Sequence, residues 1–282
     1  MHRRSSPNSG PRFAALSRPA RRLRAAACGL ATLLVLLPPA SHAADTPLRF
    51  CFTRWAPYTF LQDGEPQGLS VGILREAARR AGFAAQFAEL PWKRCLTGVA
   101  GGMYDAAMDG APREEFVSGR HSYVTSFYSF WVLAEDARLG PSDPAAFAGR
   151  KVSLVHGWQY PLDETAAAQP DYVRLDSEAG QIRSLVAGRQ AAAYGDNITL
   201  RWTAIRLGLE DAVRPLLPAH GMAALYPLFA PAQLEAARKV DAAIGSMLAD
   251  GAVDRIYRQH IGVGLSELKA RSRPPRAARP GN

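Results

Sequence analysis

Apolar positions along this chain alternate between short buried-looking runs and stretches with helical spacing. Residues 48–53 (LRFCFT) form the first strand-like run. After a polar turn at Asp63-Gly64-Glu65-Pro66, residues 71–82 place Leu74, Ala77, Ala78 and Ala81 on one face. Arg75, Glu76, Arg79 and Arg80 fall on the other, the pattern of an amphipathic helix, and Gly82 ends it. A strand over residues 84–90 leads into a helix opening at Pro91, a residue suited to a first helical turn, and residues 104–108 read as a short buried strand.

The pattern then repeats. Residues 151–155, 172–175 and 190–194 read as strands, residues 177–187 as a helix, and another helix starts near Asn197. Residues 222–229 are strand-like and lead to a helix opening at Pro231, with Leu234, Ala237, Val240, Ile244 and Met247 inward and Gly251 suited to its C-terminal cap. A last helix carries Val253, Ile256, Tyr257 and Ile261. Alternation of this kind predicts an α/β fold with mainly parallel sheets flanked by helices, and about 220 residues suffice for two lobes of about 100 each.

The two ends change the reading of charge. Seven arginines (3, 4, 12, 18, 21, 22, 24) precede an apolar run over residues 25–37, and Ser41-His42-Ala43-Ala44 offers a small-x-small cleavage site. Residues 1–43 therefore read as a cleaved secretory signal peptide, which predicts a periplasmic protein. Cys28 precedes the apolar run, so no lipid anchor is expected. The whole chain has 34 basic and 25 acidic residues; without the seven leader arginines the balance is 27 against 25. Five more basic residues (Lys269, Arg271, Arg273, Arg276, Arg279) lie in residues 265–282, which read with their prolines as a disordered basic tail. The remaining residues 44–268 have 22 basic against 25 acidic groups, so the basic balance gives no support for nucleic-acid binding. With Cys28 removed, Cys51 and Cys95 form the remaining pair, and an oxidising compartment favours a disulfide over a redox pair lacking the C-x-x-C spacing. Closing a loop of about 45 residues would stabilise the fold by roughly 4 kcal/mol.

Three stretches carry a family resemblance. They are Trp55-Ala56-Pro57-Tyr58 followed by Gly68-Leu69; Leu90-Pro91-Trp92-Lys93-Arg94-Cys95-Leu96 followed by Gly101-Gly102-Met103-Tyr104-Asp105-Ala106-Ala107; and the run from Ala187-Gly188-Arg189 to Tyr194-Gly195-Asp196. With the closing run from Leu248 to Tyr257, they resemble the amino-acid-binding branch of the bacterial periplasmic solute-binding proteins, family 3, of type II fold. The resemblance implies a monomer of two lobes joined by two hinge crossings. Lobe 1 would comprise residues 44–133 with 225–264, and lobe 2 residues 137–221. It also implies a cleft for a small polar, amino-acid-like ligand, no cofactor, and a membrane permease of the ABC type as partner.

On that resemblance Asp196 matches the acid that holds a ligand's amino group, although an aspartate following a strand is also a good helix N-cap. Trp55, with Tyr58 beside it, matches the aromatic that lies against the ligand. Trp92 and Arg94 start a helix expected to face the cleft. Two positions depart from the family pattern. Val117 stands where an arginine clamps the ligand carboxylate; Arg113, four residues earlier, would substitute if the loop is shorter. The stretch from Asp109 to Pro112 before it replaces a region often rich in hydroxyls, with Asp109 as its candidate ligand contact. Trp158, in His156-Gly157-Trp158-Gln159, stands where a small hydroxyl residue is common. A ligand with a larger flat or a less acidic surface than an ordinary α-amino acid would suit these departures equally well.

Other signals carry less. Gly68-Leu69-Ser70-Val71-Gly72 fits G-x-S-x-G, but a polar turn instead of a strand precedes it. The six histidines (2, 42, 121, 156, 220, 260) show no H-x-x-x-H spacing, so no metal is expected, and no phosphate-binding glycine motif occurs. Two rival functions on the same fold remain. One is a dehydratase or cell-wall lyase using Asp109 with Glu114 or Glu115; the other is a ligand sensor for a membrane receptor.

Overall fold

The computed structural model describes residues 47–137, 140–165 and 169–272; the leader and residues 273–282 of the tail lie outside them. Eight strands share one continuous curled sheet in the order β4 (Ala85–Glu89), β1 (Leu48–Phe52), β5 (Ala106–Gly110), β11 (Gly221–Phe229), β6 (Val124–Leu133), β9 (Ala192–Asp196), β7 (Lys151–Val155), β8 (Asp171–Leu175). β10 (Val213–Pro215) pairs with β6, and β2 (Phe60–Gln62) with β3 (Glu65–Gln67) forms a separate hairpin. β1 runs parallel to β4 and β5, and β7 runs parallel to β8 and β9. β1 and β7 are buried over most of their length, as parallel strands covered by helices must be, with only Arg49 part-exposed in β1 and Lys151 exposed in β7.

β6 and β11 join the two parallel sets. They pair antiparallel over Val124–Tyr128 against Leu225–Gly221; β11 continues on to β5, and β6 continues on to β9. The buried side chains change company inside β6. Val124 and Phe127 pack in a core with β1, α1 (Leu69–Arg80), α5 (Leu234–Ala249) and α6 (Ala252–Ile261). Tyr128, Phe130 and Val132 pack with Val152, Leu154, Ala192 and Tyr194. The change of packing partners therefore comes at Phe127/Tyr128. Residues 265–271, expected to be disordered, form α7 (Leu265–Arg271), with Leu265 buried and Leu268 packed on the first core.

α1 shows how the chain prepares the site. Its inward face is Leu69, Val71, Ile73, Leu74, Ala77 and Ala78, while Glu76 pairs outside with Arg79 and Arg80. No side chain caps its start. Instead Leu69 N donates to Pro57 O (3.0 Å) and Ser70 N to Tyr58 O (3.0 Å), so the preceding turn supplies the missing acceptors. The two segments approach so closely that a Cβ on Gly68, at φ 118°, would lie 2.3 Å from Tyr58 O. Only glycine fits there, which ties the W-A-P-Y turn to the glycine ten residues later.

Cys51 in β1 and Cys95 in α2 (Trp92–Ala100) are joined in a disulfide, with Cα atoms 5.6 Å apart. The bridge sits in its own small core with Val99, Ala107, Leu228 and Ala230.

Candidate functional site

Three segments converge where the two sets of strands meet. The first is the turn after β1. Trp55 N donates to Thr59 O (2.7 Å) and Tyr58 N to Trp55 O (2.8 Å), which folds the turn back and sets the two rings 4.2 Å apart. Tyr58 is fully buried and Trp55 nearly so.

The second is the junction of β9 with α4 (Asn197–Leu207). Asp196 caps α4: its Oδ2 accepts from Thr199 N (2.9 Å). The same oxygen accepts from Tyr58 Oη (3.1 Å), and Oδ1 accepts from Phe127 N (3.0 Å). One carboxylate thus fastens a helix start, the crossing strand and the first turn. Burial outweighs these hydrogen bonds and raises its pKa to about 6.

The third is the turn after β7 with the start of α3 (Glu178–Val186). Trp158 reaches across to Trp55, with ring centroids 5.2 Å apart, and packs on the first core. Ser177 caps α3 through Gly180 N (3.2 Å), and the first turn presents Glu178 and Gln181.

Between these segments lies a cleft of about 700 Å³, lined by Arg54, Trp55, Phe60, His156, Trp158, Asp176, Glu178, Thr199, Trp202 and Arg206. Thr199, Trp202, Thr203 and Arg206 follow i, i+3, i+4, i+7 spacing, so α4 turns one continuous face to it. Arg206 lies 4.8 Å over the Trp202 ring, and Arg54 Nε donates to Glu89 Oε1 (3.1 Å). Beneath the cleft a chamber of about 20 Å³ is bounded by Trp55, Tyr128, Trp158, Tyr160, Glu178, Gln181, Asp196 and Thr199.

Of the residues singled out in the sequence, Trp55, Tyr58, Trp158 and Asp196 come together here. Trp92, Arg94, Asp109 and Arg113 do not line the cleft. Trp92 is half-buried against the disulfide core, and Arg94 points from the same helix into solvent. Arg113 is exposed in the loop after β5. Val117 forms a bridge with Phe229, donating to its carbonyl at 2.9 Å and accepting from its N–H at 2.8 Å. Glu178 on α3 and Thr199, Trp202 and Arg206 on α4 line the cleft without having been singled out in the sequence, because nothing local marks that side of either helix as the ligand side.

Asp109 has another setting. It holds φ 56° at the end of β5; its Oδ1 accepts from Ser70 Oγ (2.8 Å) and Tyr123 Oη (2.6 Å), while Oδ2 is buried without a partner. Burial raises its pKa to about 6. Glu114 and Glu115 are exposed in the loop after β5.

The two raised carboxyls fix a sign. A group protonating near pH 6 in the fold, against about 3.9 unfolded, binds more protons when folded between those values. Its stabilisation is fully present below about pH 4 and is lost as pH rises through about 6. Each contributes on the order of 2–3 kcal/mol across that window. The urea midpoint is expected to fall between pH 5 and pH 7.5. Asp109→Asn, whose side chain tolerates positive φ, should flatten part of that slope and be more stable than wild type at pH 8. An unchanged slope would show that Asp109 does not titrate there.

Residues 48–263 match the sequence profile of bacterial extracellular solute-binding proteins, family 3, and the chain belongs to that family. A search of curated protein sequences found no match. Solved structures share the type II periplasmic-binding fold. The L-cystine solute receptor of Neisseria gonorrhoeae, in its unliganded open conformation, is 20% identical with TM-score 0.62, over 79% of this chain and 96% of that one. An ancestral arginine-binding protein bound to arginine is 17% identical with TM-score 0.60, over 78% of this chain and 100% of that one. A histidine kinase sensor domain similar to periplasmic binding proteins is 17% identical with TM-score 0.62, over 78% and 98%. Among the described residues no helix is long and apolar enough to cross a membrane, and no side-chain cluster is composed to hold a metal ion.

Proposed function

We propose that the protein is exported by its N-terminal leader and acts as a monomeric extracytoplasmic receptor for a small polar, amino-acid-like ligand, which it passes to an ABC-type permease. The observation that carries this reading is the cleft at the strand junction, lined by Trp55 and Trp158 in contact with each other, next to the buried Tyr58–Asp196 hydrogen bond that ties the first turn to α4. Lobe 1 would run to Phe127 and resume near Leu225; lobe 2 would lie between. The lobes would move by bending β6 and β11 where they cross. A ligand touching both sides favours the closed arrangement by its extra affinity for it, and a permease then has a distinct shape to recognise. Trp55, Trp158, Trp202 and Asp196 are the residues proposed to meet the ligand; Asp196 would act through one remaining lone pair while keeping α4 capped. A thermal-shift screen against amino acids, amines, organic acids and aromatic acids tests the reading. A ligand at 100 times its dissociation constant should stabilise the protein by about 2.7 kcal/mol. A folded protein unmoved by all four classes would remove the amino-acid-like ligand and bring the sensor reading forward.

A further inference from the structure

The floor of the cleft carries more chemical information than its rim. Gln181 is completely buried, and its Nε2 donates to Ser153 O (2.7 Å) and Tyr194 O (3.1 Å). Both amide hydrogens are thereby used, so the orientation of the amide is fixed and Oε1 can only accept. That Oε1 is buried and has no partner, and Gln181 bounds the small inner chamber. Burying an amide oxygen without a donor is costly, so a ligand donor placed there gains more than the same contact in water.

Glu178, one helical turn earlier, borders both the chamber and the outer cleft, and among the described residues no cation pairs with it. Burial holds its carboxyl above the usual carboxylate range. Asp176 lies beside it on the rim. The start of α3 would by itself favour an anion, but these two carboxylates already occupy that end. A ligand carboxylate placed there would meet two like charges and a carbonyl oxygen. The chamber, of about 20 Å³, has room for one group the size of water or ammonium, for which ~10–15 Å³ is the minimum. Trp55 and Trp158 wall it, offering indole surface to a cation and to a flat skeleton.

We infer that this chamber is an ammonium subsite, in which Gln181 Oε1 and Glu178 receive a primary amine whose skeleton extends past Trp55 and Trp158 into the outer cleft. The inference rests on the reading of the cleft as a ligand site and names the ligand class: cationic primary amines, with no carboxylate required at this end.

Calorimetric titration of the purified protein with two pairs of matched probes tests it: phenethylamine against 3-phenylpropionate, and 1,5-diaminopentane against glutarate. The amines should bind at least tenfold more tightly than their acid counterparts. Glu178→Gln, a half-buried and nearly isosteric change, should cost the amines tenfold or more with the melting temperature of the ligand-free protein little changed. Gln181→Met should weaken them too, and its melting temperature reports whether the fold survives. Equal affinity for amines and acids, or amine affinity indifferent to Glu178→Gln, would overturn the subsite. If acids or neutral amino acids bind and amines do not, the subsite falls while the binding function stands. If neither these probes nor the wider screen bind, both fall.

Discussion

Reduced or mutated at its disulfide, the protein should lose about 3–4 kcal/mol of stability, the largest single effect expected outside the cleft. Cys51 and Cys95 are 44 residues apart and both fully buried, one in the second strand of the sheet edge and one in the helix that covers it. Cutting the bridge frees a long loop in the unfolded chain and leaves two thiols in the small core with Val99, Ala107 and Leu228. Replacing both cysteines by alanine removes the link with little change in volume. At about 2–4 °C per kcal/mol for a chain of this size, the melting temperature should drop by roughly 10 °C. Thermal unfolding with and without reductant measures this. A drop of less than 2 °C in the double variant would mean that the link constrains neither state.

Asp196→Ala should be nearly as damaging, and in a distinguishable way. Three donors lose their acceptor: Thr199 N at the start of α4, Phe127 N in the crossing strand, and the Tyr58 hydroxyl. Each buried orphan costs about 1–3 kcal/mol, offset in part because a buried carboxylate disappears. A net loss on the order of 3 kcal/mol is expected near neutral pH, together with loss of ligand binding. Asp196→Asn keeps a carbonyl acceptor and should recover part of the stability without restoring full ligand affinity. Tyr58→Phe removes one of the three bonds while leaving the cap and the strand contact in place. Denaturant titration of the three variants separates these contributions. Equal stability of Asp196→Ala and wild type would show that the carboxylate does not hold the two sides together.

Much of this was legible in the sequence, for identifiable reasons. The helices and parallel strands announce themselves because each has one environment: an inward face for α1 and α5, burial at four of five positions for β1 and β7. β6 did not. Its VTSFYSFWVL run is buried at nine of ten positions, so it has no period of two, and its serines interrupt the apolar run. Its partners are distant in sequence, and it serves two cores in turn. For the same reason the changeover falls inside a strand, where composition gives no boundary.

The site divides in a similar way. Asp196 and Trp55 stand in local contexts, a strand end and a tight turn, that mark them. Tyr58 meets Asp196 across 138 residues, a pairing fixed by the crossing strands and by no local signal. Glu178 and Gln181 look like ordinary polar residues of a helix start; only the fold turns that start under the cleft. Arg94 illustrates the reverse case: the helix it belongs to is in place, but its rotation is set by Cys95 and Val99 facing inward, which leaves the arginine outside.

Tryptophan emission reports directly on ligand entering the cleft, because Trp55, Trp158 and Trp202 of the five tryptophans line it. The purified protein would be titrated with each compound class of the thermal screen. At least one compound should change the emission saturably, at the same midpoint as its thermal stabilisation, and the change should be lost in Asp196→Ala that remains folded. A folded protein whose emission no compound in any class alters would contradict the assignment of the cleft as a ligand site.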